Sequence, residues 1–226
     1  MKRISTILLA LSFALAPVFA QVPESLVSSL IISLENKEWD NVCLLFEEFS
    51  AKDPENAEVF YWVKAANIKE VSNKLLLALA TNYYKQSETQ KALELYRQFC
   101  DKKDCTAQEL LSIAGNLIDL GDVRLTQKLY SRVVDLQPDN FEANVFLGNY
   151  MYLRAERERK RLESEYAKIA KPTRMEYARY RASLDELFVI LYDKSRAHLE
   201  VAAKQIKSEE INKTLEHIKS LEKSLK

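Results

Sequence analysis

Reactive side chains are few in this chain, and their spacing does not suit catalysis. The two histidines, His198 and His217, fall on different predicted helices and read as surface residues. No His-x3-His or Cys-x2-Cys spacing is present to hold a zinc-type ion, and there is no Gly-rich phosphate loop or Gly-x-Ser-x-Gly elbow. No catalytic residue, metal ligand or cofactor is therefore assigned, and the chain is not expected to be an enzyme. Cys100 and Cys105 bracket Asp101-Lys102-Lys103-Asp104 and leave two readings open. In an oxidising compartment they could form a disulfide, whose small loop would contribute ~2 kcal/mol in the chain-entropy model. Alternatively they are free thiols, with Cys100 partly buried. Cys43, beside Val42, reads as a core residue. With 11 Tyr and 9 Phe, the chemistry left to the chain is recognition through apolar and aromatic contact.

The residues that could carry such recognition must be held by helices, because the chain repeats itself at a helical-hairpin period. Between Asn73 and Asn140 one pattern occurs twice, 34 residues apart. In the first copy Leu76, Leu79-Ala80 and Tyr83 share a helical face, and Ala92, Tyr96 and Phe99 continue it after a turn at Gln86-Ser87-Glu88. In the second, Leu110, Ile113-Ala114 and Leu117 lead to a Gly121-Asp122 turn, then Thr126, Tyr130, Val133 and Pro138. This resembles the tetratricopeptide repeat. The resemblance implies an all-α solenoid of antiparallel helix pairs, each stacking on its neighbour because a pair this short cannot bury its apolar face alone.

Outside those copies the pattern degrades. Leu26, Leu30 and Leu34, a turn at Asn36-Lys37-Glu38, then Trp39, Val42, Phe46 and Phe49 read as an atypical first repeat. Residues 57–72 break the rhythm by 16 positions, and the Val59-Phe60-Tyr61-Trp62-Val63 run is either a connector packed on the first repeat or a partner-binding patch. A fourth repeat begins with Asn144, Leu147-Gly148 and Met151 but does not turn. Strong helix formers run on from Arg154 to Pro172, and Thr173-x-x-Glu176 restarts a helix. Tyr192, Ser195, Leu199 and Ala202 then reproduce the missing second-helix stripe, so residues 154–191 are expected to be an inserted helical hairpin. Ile211, Leu215, Ile218 and Leu221 predict a C-terminal capping helix after Ser208-Glu209-Glu210. Capping signatures are also expected at Thr106-x-x-Glu109 and Asp139-x-x-Glu142.

In the family resembled, the first helix of each pair lines a concave binding face. Taking spacing i, i+4, i+7 off the packing stripe gives Leu77, Thr81 and Tyr84, then Leu111, Gly115 and Ile118, then Val145, Asn149 and Tyr152. These positions predict an apolar, aromatic groove with Tyr84 and Tyr152 as anchors. It would suit an apolar helix or extended peptide. The basic and Asn residues with which some family members clamp a C-terminal carboxylate are missing, apart from Asn149. The protein's own terminal segment is the alternative occupant. Between Arg154 and Arg181 basic residues outnumber acidic ones, interleaved with Tyr166, Tyr177 and Tyr180, which makes either a solvated arm held by weak ion pairs or a surface for acidic protein, phospholipid headgroups or nucleic acid, with export arguing against the last.

Met1-Lys2-Arg3, the apolar run from Ile4 to Ala16, and Val18-Phe19-Ala20 have the order of a secretory signal peptide cut after Ala20, giving a mature chain over residues 21–226 read as a single domain. Pro17 interrupts a run already short for a span, so no transmembrane anchor is expected. Basic and acidic residues balance at 33 each, and nothing in that balance calls for nucleic acid. Export is thus the expectation, and because the chain in general shape resembles the short secreted repeat proteins of Gram-negative bacteria, the resemblance implies the periplasm as its compartment. The expected function is a scaffold binding a protein or peptide, with no small-molecule substrate. An assembly factor for an envelope complex acting through the basic hairpin, or a self-associating structural protein, are the alternatives.

Overall fold

A computed structural model describes residues 24–225, and the leader expected at the N-terminus lies outside them. Every regular element among the described residues is a helix. No helix among them is long and apolar enough to cross a membrane. The chain divides into two compact units, one through Leu95 and one from Tyr96 onward.

In the first unit α1 (Glu24–Glu35) and α2 (Trp39–Lys52) form a hairpin, and α2 packs on α4 (Ser72–Lys85). Leu26, Leu30, Val42, Phe46 and Phe49 are buried, which follows the expected stripe. A buried Asn82 amide donates to Ser50 Oγ at 2.7 Å and ties α4 to α2. The uncertain connector is helical. Asp53 caps α3 (Pro54–Phe60) by accepting from Asn56 N at 3.1 Å, and a π-helical turn, Tyr61–Ala65, follows. Its aromatic run divides between two faces. Phe60 and Tyr61 are buried, with the Phe60 ring 6.1 Å from Phe46 and 6.2 Å from Phe49, whereas Val59, Trp62 and Val63 are exposed.

The turns closing three helix pairs are chemically the same. Lys37, Ser87 and Gly121 all have positive φ, at 59°, 64° and 72°. At each, the residue before donates to the carbonyl four back, and the positive-φ residue donates to the carbonyl three back: Asn36 to Ile32 and Lys37 to Leu34, Gln86 to Asn82 and Ser87 to Tyr84, Leu120 to Asn116 and Gly121 to Ile118. This left-handed stop satisfies carbonyls that a helix end would otherwise leave open. One period beyond Gly121 stands Ala155, fully buried in mid-helix.

α5 (Thr89–Asp101) crosses from the first unit into the second. There, Thr106 and Glu109 form the expected capping box on α6 (Ala107–Ser112). The helix that begins there is not continuous. Ile113, at φ −104°, separates α6 from α7 (Ala114–Asp119), and its N–H reaches only Leu110 O, at 3.4 Å. α8 (Val123–Leu136) packs on both pieces and on α9 (Phe141–Ala167). α9 is capped by Asn140, which accepts from Ala143 N at 3.0 Å, rather than by Asp139 as the sequence suggested.

The fourth pair is longer than the others. α10 (Arg174–Leu187), a π-helical turn at Phe188–Tyr192, and α11 (Asp193–Ala203) follow one another without a break and run back along α9. The residues between 154 and 191 thus continue both helices of the pair outward as a helical hairpin. Thr173 and Glu176 form the second capping box, at the turn between α9 and α10. Along the shared part, Gly148 allows close approach: a Cβ there would meet Leu199 Cδ2 at 2.6 Å. Ser195 Oγ donates to Gly148 O at 2.8 Å across the same contact. Ala155, Leu187, Phe188, Tyr192 and Ile218 form a core cluster, so the root of the arm is core rather than appendage. α12 (Glu209–Leu225), with Ser208 at its start, adds Ile211 and Ile218 over α11 and the arm root.

Candidate functional site

An apolar groove of 740 Å³ lies on the second unit where α7, α8 and α9 meet. α7 supplies Leu117 and Ile118, α8 Val123, Thr126 and Tyr130, and α9 the face Glu142, Phe146, Asn149, Tyr150 and Leu153. Those α9 positions recur every three or four residues, so they form one stripe. Three rings run along it. Phe146 stacks on Tyr130 with centroids 4.4 Å apart and planes at 27°, and on Tyr150 at 6.2 Å and 7°. The Arg154 guanidinium sits 5.8 Å from the Tyr150 ring at one end. Near the other, Tyr130 donates to Glu142 at 2.6 Å, and burial together with that carboxylate pushes the Tyr130 hydroxyl pKa up, leaving it a fixed neutral donor. Ile118, Val123 and Leu153 are 51%, 52% and 61% exposed, which leaves the rim apolar and open to water.

The predicted groove residues separate. Ile118, Val145 and Asn149 line this groove. Leu111 does not: the break at Ile113 puts it out of phase with Ile118, seven residues on. Tyr152 turns into the fold, edge-on to Tyr192 at 6.3 Å and to His217 at 6.0 Å, against the root cluster. It packs there because α9 is flanked by α8 on one side and by α11 on the other, which moves the open face about one residue round the helix. Tyr150, Phe146 and Leu153 were missed for that reason. Leu77, Thr81 and Tyr84 belong to α4 of the first unit, all half-buried. None of them borders that unit's own cavity of 1290 Å³, which is lined by Phe60, Tyr83, Val59, Val63 and several charged residues. There Tyr83 donates to Glu58 at 2.7 Å, and the Lys91 ammonium lies 4.8 Å from the Tyr83 ring centre.

Other groups singled out in the sequence serve packing. Cys100 and Cys105 are free, buried thiols, and burial pushes Cys100 up to about 12. Cys105 donates to Phe99 O at 3.4 Å, and Arg132 of α8 donates to the Cys100 and Lys102 carbonyls at the end of α5. His198 is half-buried rather than on the surface, with Nδ1 2.8 Å from Asn144 Oδ1. The Asn144 amide already donates to Pro138 O and Asn140 O, so its oxygen accepts and the proton sits on His198 Nδ1. Glu156 at the arm root accepts from Arg159 at 2.9 Å and from Tyr192. Burial opposes its ionisation, but those hydrogen bonds outweigh it and hold the carboxyl below its usual range.

No model of a known protein family matches this sequence, and no curated protein matches it. Among solved structures it is similar to one from Bacteroides ovatus described as a "putative protein binding protein". The two are 32% identical, with a TM-score of 0.68 over 91% of this chain and 100% of the other. This chain belongs to the same family as that protein. A match over 91% of the chain includes residues of both units.

Proposed function

We propose that this protein is an exported protein-binding scaffold of tetratricopeptide type whose groove on α7–α9 captures an apolar segment of a partner. The observation that carries the reading is the aromatic row of Tyr130, Phe146 and Tyr150 beside the open apolar rim of Ile118, Val123 and Leu153. Isolated exposed apolar residues mean little, but a contiguous concave patch of them marks an interaction site. The repeat type is supported by the shared turn chemistry at residues 37, 87 and 121 and by the close contact at Gly148. Export rests on the leader at residues 1–20, and the periplasm on the resemblance to short secreted repeat proteins of Gram-negative bacteria. The name of the Bacteroides ovatus relative is consistent with binding rather than catalysis. The reading assigns the chain no reaction.

The groove has one acidic residue at its edge, Glu142, and one cation, Arg154, so selectivity would come from shape and aromatic contact. Peptides selected from a random display library against the full chain should be rich in large apolar residues. Ile118→Asp combined with Leu153→Asp changes only exposed side chains and should weaken those peptides by on the order of 30-fold, or ~2 kcal/mol. Selected peptides that bind the folded double variant as tightly as the parent would remove the groove from this role.

A further inference from the structure

We propose that the distal end of the α9–α10 arm is a docking surface for the anionic headgroups of a lipid bilayer. Charge is arranged differently at its two ends. Along the stem three cations are engaged: Arg159 pairs with Glu156 and Glu163, Arg161 with Glu158 and Glu165, and Arg181 donates to the Ser224 and Leu225 carbonyls. Toward the tip, Lys168, Lys171, Arg174 and Arg179 are all exposed. Between Glu165 and Asp185 the sequence has one carboxylate, Glu176. That one is consumed by the capping box, accepting from Thr173 N at 2.7 Å and Thr173 Oγ1 at 2.8 Å.

Apolar groups stand among these cations. Met175 is 64% exposed and Tyr177 51% exposed, immediately after the turn that carries Lys171 and Arg174. Just behind them Tyr166 stacks on Tyr180, centroids 4.4 Å apart and planes at 8°, which joins the two helices below the tip. The end of a helix hairpin is convex, whereas a peptide or small ligand needs a concavity to be desolvated. A bilayer provides a flat counter-surface with a field of negative charge. Lysine and arginine gain from that field, while tyrosine and methionine settle at headgroup depth. Tyr166 and Tyr180 cover each other's faces, which leaves those two rings less available to nucleic-acid bases.

The test uses the purified full chain and sedimentation with vesicles of phosphatidylcholine alone or mixed with phosphatidylglycerol. The protein should bind the mixed vesicles and not the neutral ones, and about 0.5 M salt should release it. A cation near an anionic surface gains roughly fivefold in partition, so Lys168→Gln, Lys171→Gln and Arg174→Gln together should lower binding by on the order of 100-fold. Met175→Ser with Tyr177→Ser should weaken binding while keeping its salt dependence. If the triple variant fails to fold by circular dichroism, Lys168→Gln with Lys171→Gln replaces it, with a loss of on the order of 25-fold. Equal binding to both vesicle types, or binding indifferent to the glutamine variants, overturns the proposal. So does capture on immobilised polyglutamate without capture on vesicles, which would assign the tip to an acidic protein.

Discussion

Replacing Gly148 by Ala tests whether α9 and α11 are held at the distance that only glycine permits. A Cβ at 148 would stand 2.6 Å from both Cγ and Cδ2 of Leu199 and 3.4 Å from the Leu199 backbone nitrogen. Leu199 is fully buried, so its side chain has no empty space to swing into and α11 must shift instead. Overpacking of this kind costs ~1–3 kcal/mol. Alanine also returns about 1 kcal/mol of helix propensity, so the net loss should be ~1 kcal/mol, reaching ~2 if Ser195 loses its bond to the Gly148 carbonyl. Gly115→Ala provides the control, because nothing lies within 4 Å of its Cβ and only the propensity gain remains. Leu199→Ala alone should cost ~2–5 kcal/mol through its cavity, yet in that background Gly148→Ala should become neutral or stabilising, a coupling of about 1 kcal/mol or more. Urea unfolding followed by far-UV circular dichroism measures all four. Tryptophan fluorescence would not, since Trp39 and Trp62 both lie in the first unit. Equal stability of the 148 and 115 variants, or strict additivity with Leu199→Ala, would refute the close-contact argument.

Ser87→Gly should raise stability by ~0.5 kcal/mol, because Ser87 holds φ 64° and glycine relieves that strain more than it loosens the unfolded chain; a lowered urea midpoint would count against the shared-turn description. Burial lowers the His198 pKa below the ordinary 6.5, so the unfolded chain binds the extra proton first. Stability should be complete above about pH 6.5 and fall as the pH drops from there through the folded-state pKa. His198→Asn should flatten that part of the stability profile, and an unchanged slope would mean that another group is responsible.

The readable parts of the sequence were those in which one residue type answers one local demand. Left-handed turns drew Gly121 and short polar loops, the two Thr-x-x-Glu boxes cap as expected, and Tyr192, Ser195, Leu199 and Ala202 all face inward. The groove was less legible because its phase depends on what packs on both flanks of α9, and spacing along one helix carries no record of the second flank. Tyr152 and Tyr150 are equivalent by type, and only the neighbouring α11 and α12 decide which one is buried. The break at Ile113 had no sequence mark beyond a nearby glycine. Nor did either π-helical turn, since one extra residue in an apolar run such as Phe188–Tyr192 leaves composition unchanged.

An arm made by lengthening both helices of a pair makes reach an adjustable quantity. Seven residues are nearly two helical turns, so adding seven to the outer part of α9 and seven to α10 would move the Lys171–Arg174 turn outward by ~10 Å. The residues beyond the addition would return almost to their original phase relative to Ala155 and Leu187. Removing as many would draw the turn inward by a similar step. The helices are joined at the root, where Tyr192 donates to Glu156 and packs in one cluster with Ile218, so the stem can act as a spacer whose length is set independently of the groove.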